Sequence, residues 1–181
     1  FVKGGKEVHD LIKRVKGDGC RVWDENGKEY IDFVSGIAVC SLGHSSPIVS
    51  KALCEQSKKL VHVSNLFYTQ PQTELAQILV ENSFADRVFF CNSGAEANEA
   101  AIKLARRYSK EKSGSERHTI VTMDNSFHGR TMATLSATGQ EKIRTGFDPF
   151  LEGFKYVPFN DLNNLKSALS IVLGFIIIPK V

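Results

Sequence analysis

Two short runs near the start of the chain alternate apolar and polar positions with the period-two rhythm of a strand: Cys20-Arg-Val-Trp-Asp24 and Lys28-Glu-Tyr-Ile-Asp-Phe33. Glu25-Asn26-Gly27 lies between them. Asn-Gly supplies the positive φ angles of a tight turn, so the pattern predicts a β-hairpin. The polar stretch up to about Asp18, with Gly4-Gly5 and Gly17, reads as peripheral. The rhythm then lengthens. Ser45-Ser46-Pro47 starts a helix, with Ser46 as N-cap and Pro47 in the first turn, where its missing N–H would be unpaired anyway. Ile48, Ala52 and Leu53 form its apolar face, opposite Lys51, Glu55 and Lys58. Pro71 opens a second helix, with Leu75, Ile78 and Leu79 at helical spacing.

Beyond this point apolar runs alternate with helical patterns. Arg87-Val-Phe-Phe-Cys91 predicts a buried strand, broken by Asn92-Ser93-Gly94. Ala95 to Tyr108 predicts a helix whose Ala97, Ala101, Leu104, Ala105 and Tyr108 share one stripe, small enough for close packing on a sheet. Ser109 to Glu116 reads as a polar loop, and His118 to Met123 as a further β-rich run. A loop follows through Phe127-His128-Gly129-Arg130. Phe154 to Phe159 reads as extended, Asp161 to Leu169 as a helix with Asp161 near its start, and Ile171 to Ile178 as an apolar strand. Strands alternating with helices predict an α/β fold with a mainly parallel sheet. Two parts are expected: residues 1–60 with the hairpin, and residues 61–181 as an α/β domain.

Composition narrows the function classes. With 42% hydrophobic residues, 24% charged and 12 Phe, the chain has enough apolar surface for a core. A net charge of +3, with basic and acidic residues interspersed, speaks against a nucleic-acid partner. Cys20, Cys40, Cys54 and Cys91 form no C-x-x-C pair, which disfavours zinc and a disulfide scaffold and favours reduced thiols. The histidines show no metal spacing. No stretch is long enough to span a membrane, and none reads as a signal or transit peptide.

Asn92-Ser93-Gly94-Ala95-Glu96-Ala97-Asn98-Glu99 carries the chemistry, because it joins a predicted strand to a predicted helix. The first N–H groups of a helix lack intrahelical acceptors and lie at the positive end of its dipole. Gly94 lets an anion approach the backbone and Ala95 adds an N–H without bulk, so a phosphate fits there. The same residues also make a capping box, with Ser93 bonding the N–H of Glu96 and Glu96 reaching back to Ser93. From spacing alone the capping reading stands ahead of the phosphate reading, and the two are compatible in part.

Asn92 to Arg106 closely resembles the phosphate-binding segment of class III aminotransferases. Three more segments match in family order: Ser35-Gly-Ile-Ala-Val-Cys-Ser-Leu-Gly-His44, Val63-Ser-Asn-Leu-Phe-Tyr-Thr-Gln-Pro71 and Ser126-Phe-His-Gly-Arg-Thr131. The resemblance covers roughly Gly17 to Leu169, and two of the segments are most similar to the acetylornithine branch, plant members especially. The resemblance implies a partial pyridoxal-phosphate transferase fold of type I. It implies amino-acid and 2-oxo-acid substrates, and a homodimer when complete. Compartment follows only by analogy, as mitochondrion or chloroplast, otherwise cytoplasm. It assigns the cofactor phosphate to the segment Ser93, Gly94 and Ala95, and the cofactor ring to Phe127, with His128 beside it. The substrate carboxylate goes to Arg130. Phe67 and Tyr68 are pocket-lining by resemblance and packing residues on the plainer reading. Ornithine and 4-aminobutyrate remain alternative amino donors.

The resemblance weakens at Ile178-Pro179-Lys180-Val181, where relatives continue with Glu-Pro and a Gly-Glu-Gly stretch. Lys103, Lys142 and Lys180 do not match the family's Schiff-base lysine. The expectation is a chain without that lysine, inactive by itself. The alternative is a noncatalytic relative that binds the cofactor weakly or pairs with an intact subunit.

Overall fold

The computed structural model describes residues 13–113 and 118–171. They divide into two compact units, Phe1–Ile78 and Leu79–Val181, with the boundary inside a helix.

The first unit carries the expected hairpin and one strand more. β2 (Arg21–Asp24) and β3 (Glu29–Ile31) pair antiparallel, Val22 opposite Tyr30. The turn is three residues wide: the Asp24 N–H donates to the Lys28 carbonyl (3.1 Å) and the Gly27 N–H to the Asp24 carbonyl (3.0 Å). Only Gly27 is left-handed there (φ 80°), so Asn26 contributes less to the bend than the Asn-Gly pattern implied. The Asp24 carboxylate fastens the turn instead, accepting the N–H groups of Asn26 and Lys28 and the Tyr30 hydroxyl. β1 (Arg14–Asp18) pairs antiparallel with β2, so the end of the stretch read as peripheral is a sheet strand. Its polarity hid it. Arg14 lies over the Tyr30 ring at 4.0 Å and Lys16 over the Trp23 ring at 4.6 Å, so cations rather than aliphatic groups cover the sheet.

Next comes a single turn, α1 (Ser35–Ala38), with left-handed values at Ser35, Gly36, Ile37 and Ala38. Asp32 holds its start by accepting the N–H groups of Val34 and Ser35, and its other oxygen meets His44 Nε2 at 2.7 Å. α2 (Pro47–Ser57) begins at Pro47 as expected, but the Ser46 side chain makes no capping bond. α3 (Gln70–Glu81) has Pro71 in its first turn. Neither α2 nor α3 contains a buried residue.

The second unit is an α/β layer structure. β4 (Ile120–Met123) runs parallel to β5 (Phe154–Val157), Val121 opposite Lys155. The crossover contains α5 (Met132–Ala137) and α6 (Glu141–Arg144). Alternation along β4 sends its side chains to two faces. Val121 and Met123 join Val157 and Ala168, with Leu165 and Leu169 of α7 (Leu162–Ile171) packed against them. Ile120 joins Ile102 of α4 (Gly94–Ser113) and Ala137 of α5. Helices on both faces suit a parallel pair. Asp161 starts α7 as expected, its carboxylate accepting the N–H groups of Asn163 and Asn164.

Three expectations change in this unit. Arg87–Cys91 is not a strand, and Phe89 is 74% exposed. Among the described residues no neighbouring strand hydrogen-bonds to it, and an apolar run without a ladder partner does not register as β. α4 extends to Ser113, through residues read as loop. Arg107 and Glu111 pair one turn apart, and Lys110 and Lys112 sit at the negative end of the helix dipole. Finally, α4 buries a different stripe. Ile102 is 2% exposed while Leu104 is 70% and Tyr108 is 62%. The buried side follows Asn98, Ile102, Ala105 and Ser109, because Asn98 and Glu99 are bonded to a loop and fix the helix about its axis. The run Ile171–Ile178 lies outside the described residues apart from Ile171, the last residue of α7.

Among the described residues, no helix is long and apolar enough to cross a membrane.

Candidate functional site

The start of α4 combines both readings of its sequence. Ser93 Oγ accepts the N–H of Glu96 at 3.2 Å, the first arm of the capping box. The second arm is displaced by one residue: Glu96 Oε2 accepts the N–H of Asn92 at 2.6 Å, not that of Ser93. The Ser93 carbonyl accepts the N–H of Ala97. Capping therefore involves the amides of Asn92 and Glu96 and leaves those of Gly94 and Ala95 outside the arrangement. A Cβ built on Gly94 meets nothing within 4 Å, so the space over this backbone is open. Ser93 and Gly94 are exposed and Ala95 is half-buried.

The segment after β4 is brought against this helix start. Ser126 is buried, with Oγ donating to the Met123 carbonyl at 2.6 Å. Phe127 is 36% exposed, and the Arg130 guanidinium carbon lies 6.0 Å from its ring centroid. Between them His128 is 2% exposed. Burial holds its imidazole below the usual pKa, so the ring is neutral at pH 7. Neither ring nitrogen has a hydrogen-bond partner among the described residues. Its backbone is fixed on both sides: the N–H donates to Thr138 Oγ1 (3.1 Å) and the carbonyl accepts from Asn98 Nδ2 (2.8 Å).

Gly129 makes the approach possible. Its φ is 130°, and a Cβ there would stand 2.8 Å from Ala95 Cβ and 2.7 Å from Thr134 Oγ1. Thr131 Oγ1 then donates to Glu99 Oε1 at 2.5 Å, and its N–H donates to Thr134 Oγ1 in a capping box that starts α5. The arrangement can hold an anion at the helix start and present an aromatic face and a guanidinium beside it. Arg130 forms no ion pair with a carboxylate among the described residues.

Six of the residues named from the sequence, Ser93, Gly94, Ala95, Phe127, His128 and Arg130, lie at this meeting of helix and loop. Phe67 and Tyr68 belong to the first unit, in the loop before α3, and are exposed. Sequence reasoning did not single out Asn98, Glu99, Thr131, Thr134 or Thr138. Asn98 and Glu99 stand three and four residues beyond Ala95, on one face of the helix with it, and that spacing was a usable signal.

Comparison with known proteins adds the family. The sequence profile of Aminotransferase class-III matches residues 3–172. The acetylornithine aminotransferase of Caldanaerobacter subterraneus subsp. tengcongensis is 56% identical over 158 residues, 87% of this chain and 40% of that protein. The crystal structure of N-acetylornithine aminotransferase from Stenotrophomonas maltophilia is similar with a TM-score of 0.73 and 40% identity, over 92% of this chain and 41% of that one. The ornithine aminotransferase of Toxoplasma gondii is similar with a TM-score of 0.86 and 33% identity, over 92% of this chain and 40% of that one. The chain thus spans about two fifths of the length of these relatives.

Proposed function

The chain belongs to the class III aminotransferases, and on that premise we propose that it forms the cofactor-phosphate end of an enzyme exchanging an amino group between N2-acetylornithine and 2-oxoglutarate. The family's cofactor is pyridoxal 5′-phosphate. The residues present fit it on two counts: the backbone at Gly94 is open, and the capping bonds leave the Gly94 and Ala95 amides out. When bound, the cofactor supplies an electron sink for chemistry at the amino-acid Cα.

The chain's own residues then have distinct tasks. Gly94 and Ala95 donate N–H groups to the phosphate at the positive end of α4. Phe127 offers a ring face to the cofactor ring. Arg130, whose planar fork matches a carboxylate, takes the α-carboxylate of the substrate. His128 stays neutral and enclosed beneath the loop and adds no charge there. Phe67 and Tyr68 are assigned to the substrate pocket. Lys103 and Lys142 are exposed on α4 and α6, and in this reading neither carries the cofactor. The lysine that does so, and a second subunit, belong to the complete enzyme.

The observation that carries this reading is the meeting of an open helix start with a loop presenting an aromatic ring and a guanidinium that forms no ion pair among the described residues. Absorbance titration of the chain with pyridoxal 5′-phosphate and with pyridoxal tests it. Saturable binding of the phosphorylated form, competed by inorganic phosphate, is expected. Equal binding of the two forms overturns the phosphate assignment. Profiling amino donors with the full-length protein tests the substrate, and a preference for 4-aminobutyrate over N2-acetylornithine overturns that part.

A further inference from the structure

Phe127 and Arg130 sit on an irregular segment between β4 and α5, and such a segment holds a site geometry only where its neighbours fix it. The fixing groups come from the first two turns of α4. Ala95 leaves room for Gly129 alone, Asn98 donates to the His128 carbonyl, and Glu99 accepts from the Thr131 hydroxyl. On the far side Thr134 of α5 and Thr138, just past its end, hold the same segment. Helix stability does not explain Asn98, since Asn is a weaker helix former than Ala. The Asn98 amide is half-buried, and its bond crosses to the loop rather than to its own helix.

We infer that Asn98 and Glu99 are positioning residues, which clasp the Phe127–Arg130 loop to the helix start and fix the spacing between the anion cradle and the aromatic face. The inference rests on the cofactor reading above for what the two ends hold. Its physical content is a coupling. A ligand with both a phosphate and a ring needs the two ends at one separation, whereas inorganic phosphate needs only the helix start. Loosening the clasp therefore weakens binding of the cofactor and leaves the anion unaffected.

The experiment compares the chain with Asn98→Ala, Glu99→Ala, Glu99→Gln and Thr131→Val. It measures dissociation constants for pyridoxal 5′-phosphate and for inorganic phosphate, and amide exchange at His128 in the ligand-free chain. Loss of one such bond is expected to weaken cofactor binding roughly tenfold. Phosphate binding should stay unchanged, and exchange at His128 should accelerate. Glu99→Gln, which keeps an acceptor for Thr131, should retain more cofactor affinity than Glu99→Ala. Glu99→Ala and Thr131→Val should not add, because they remove the same bond. If cofactor and phosphate binding fall together, or neither changes, the positioning role is refuted. If the unmodified chain binds neither ligand, the cofactor reading fails, and the exchange measurement decides the clasp: faster exchange at His128 in Asn98→Ala upholds it, and unchanged exchange refutes it.

Discussion

Gly129→Ala tests the approach of the loop to the helix start. Two separate effects oppose the added methyl group. The backbone there has φ 130°, a region L side chains rarely adopt, worth about 1–3 kcal/mol of strain. The Cβ would also stand 2.7 Å from Thr134 Oγ1 and 2.8 Å from Ala95 Cβ, well inside van der Waals contact. Ala95 is on a helix and Thr134 is buried in the α5 capping box, so neither neighbour is the free end of a flexible chain. Overpacking of this kind costs about 1–3 kcal/mol. The sum, about 2–6 kcal/mol, is a large part of the ~5–15 kcal/mol of a typical domain.

Gly146→Ala separates the two effects. Gly146 also has positive φ (85°), but a Cβ there meets nothing within 4 Å, so only backbone strain is expected. The sole tryptophan, Trp23, is in the first unit, so the second unit contains no tryptophan of its own to report on it. Urea titration read by hydrogen exchange of peptides covering β4 and α5 is the suitable assay. Gly129→Ala should be less stable than Gly146→Ala by about 1–3 kcal/mol, the packing part alone. Ala95→Gly should reduce that difference, because it removes one of the two clashing atoms. Equal losses in the two single variants would refute the claim that Gly129 is dictated by the approach of the loop to α4.

Three further outcomes follow from the same structure. Tyr30, and then the N–H groups of Lys28 and Asn26, hold the Asp24 carboxyl below its ordinary value; its stabilisation is present above about pH 4 and is lost as pH falls through the lowered value. Trp23 fluorescence should therefore show the first unit weakening below about pH 4, and Asp24→Asn should reduce that dependence, leaving the share carried by Asp32, whose carboxyl His44 and the N–H groups of Ser35 and Val34 also hold down. Burial lowers the His128 pKa, so the unfolded chain binds more protons below about pH 6.5 and the second unit should lose stability as pH falls through that range. His128→Phe should flatten the slope in exchange-monitored urea titrations from pH 5 to 7. On α4, Ile102→Ala should cost about 2–5 kcal/mol and Leu104→Ala within about 0.5 kcal/mol. A reversal in chemical denaturation would restore the stripe read from the sequence.

The limits of the sequence are clearest on α4. Its existence and start were legible, because Gly94 and the Ser93-x-x-Glu96 pair mark a helix N-terminus and the apolar period continues behind it. Its facing was not. Alanines lie on several sides, so the stripes through Ala97 and Leu104 and through Asn98 and Ile102 are equally regular. The choice between them is made by polar bonds from Asn98 and Glu99 to a loop some thirty residues away, which periodicity does not encode. β1 shows the converse failure, a strand hidden because Arg14 and Lys16 cover aromatic rings as hydrocarbon side chains would.

The site was legible to a similar depth. Motifs named the residues at the open face of the candidate site, Gly94, Ala95, Phe127 and Arg130, because the family resemblance runs through those segments. The residues that bring these together are ordinary polar side chains, Asn98, Glu99, Thr131 and Thr138, and their roles depend on where the loop comes to lie. A phosphate cradle on a helix start is common physics and carries no specificity of its own. Here the glycine of the loop abuts Ala95 at the helix start, so the helix N-terminus and the loop that carries Phe127 share one contact. The chemistry proposed here therefore depends as much on Gly129 having no side chain as on any group that has one.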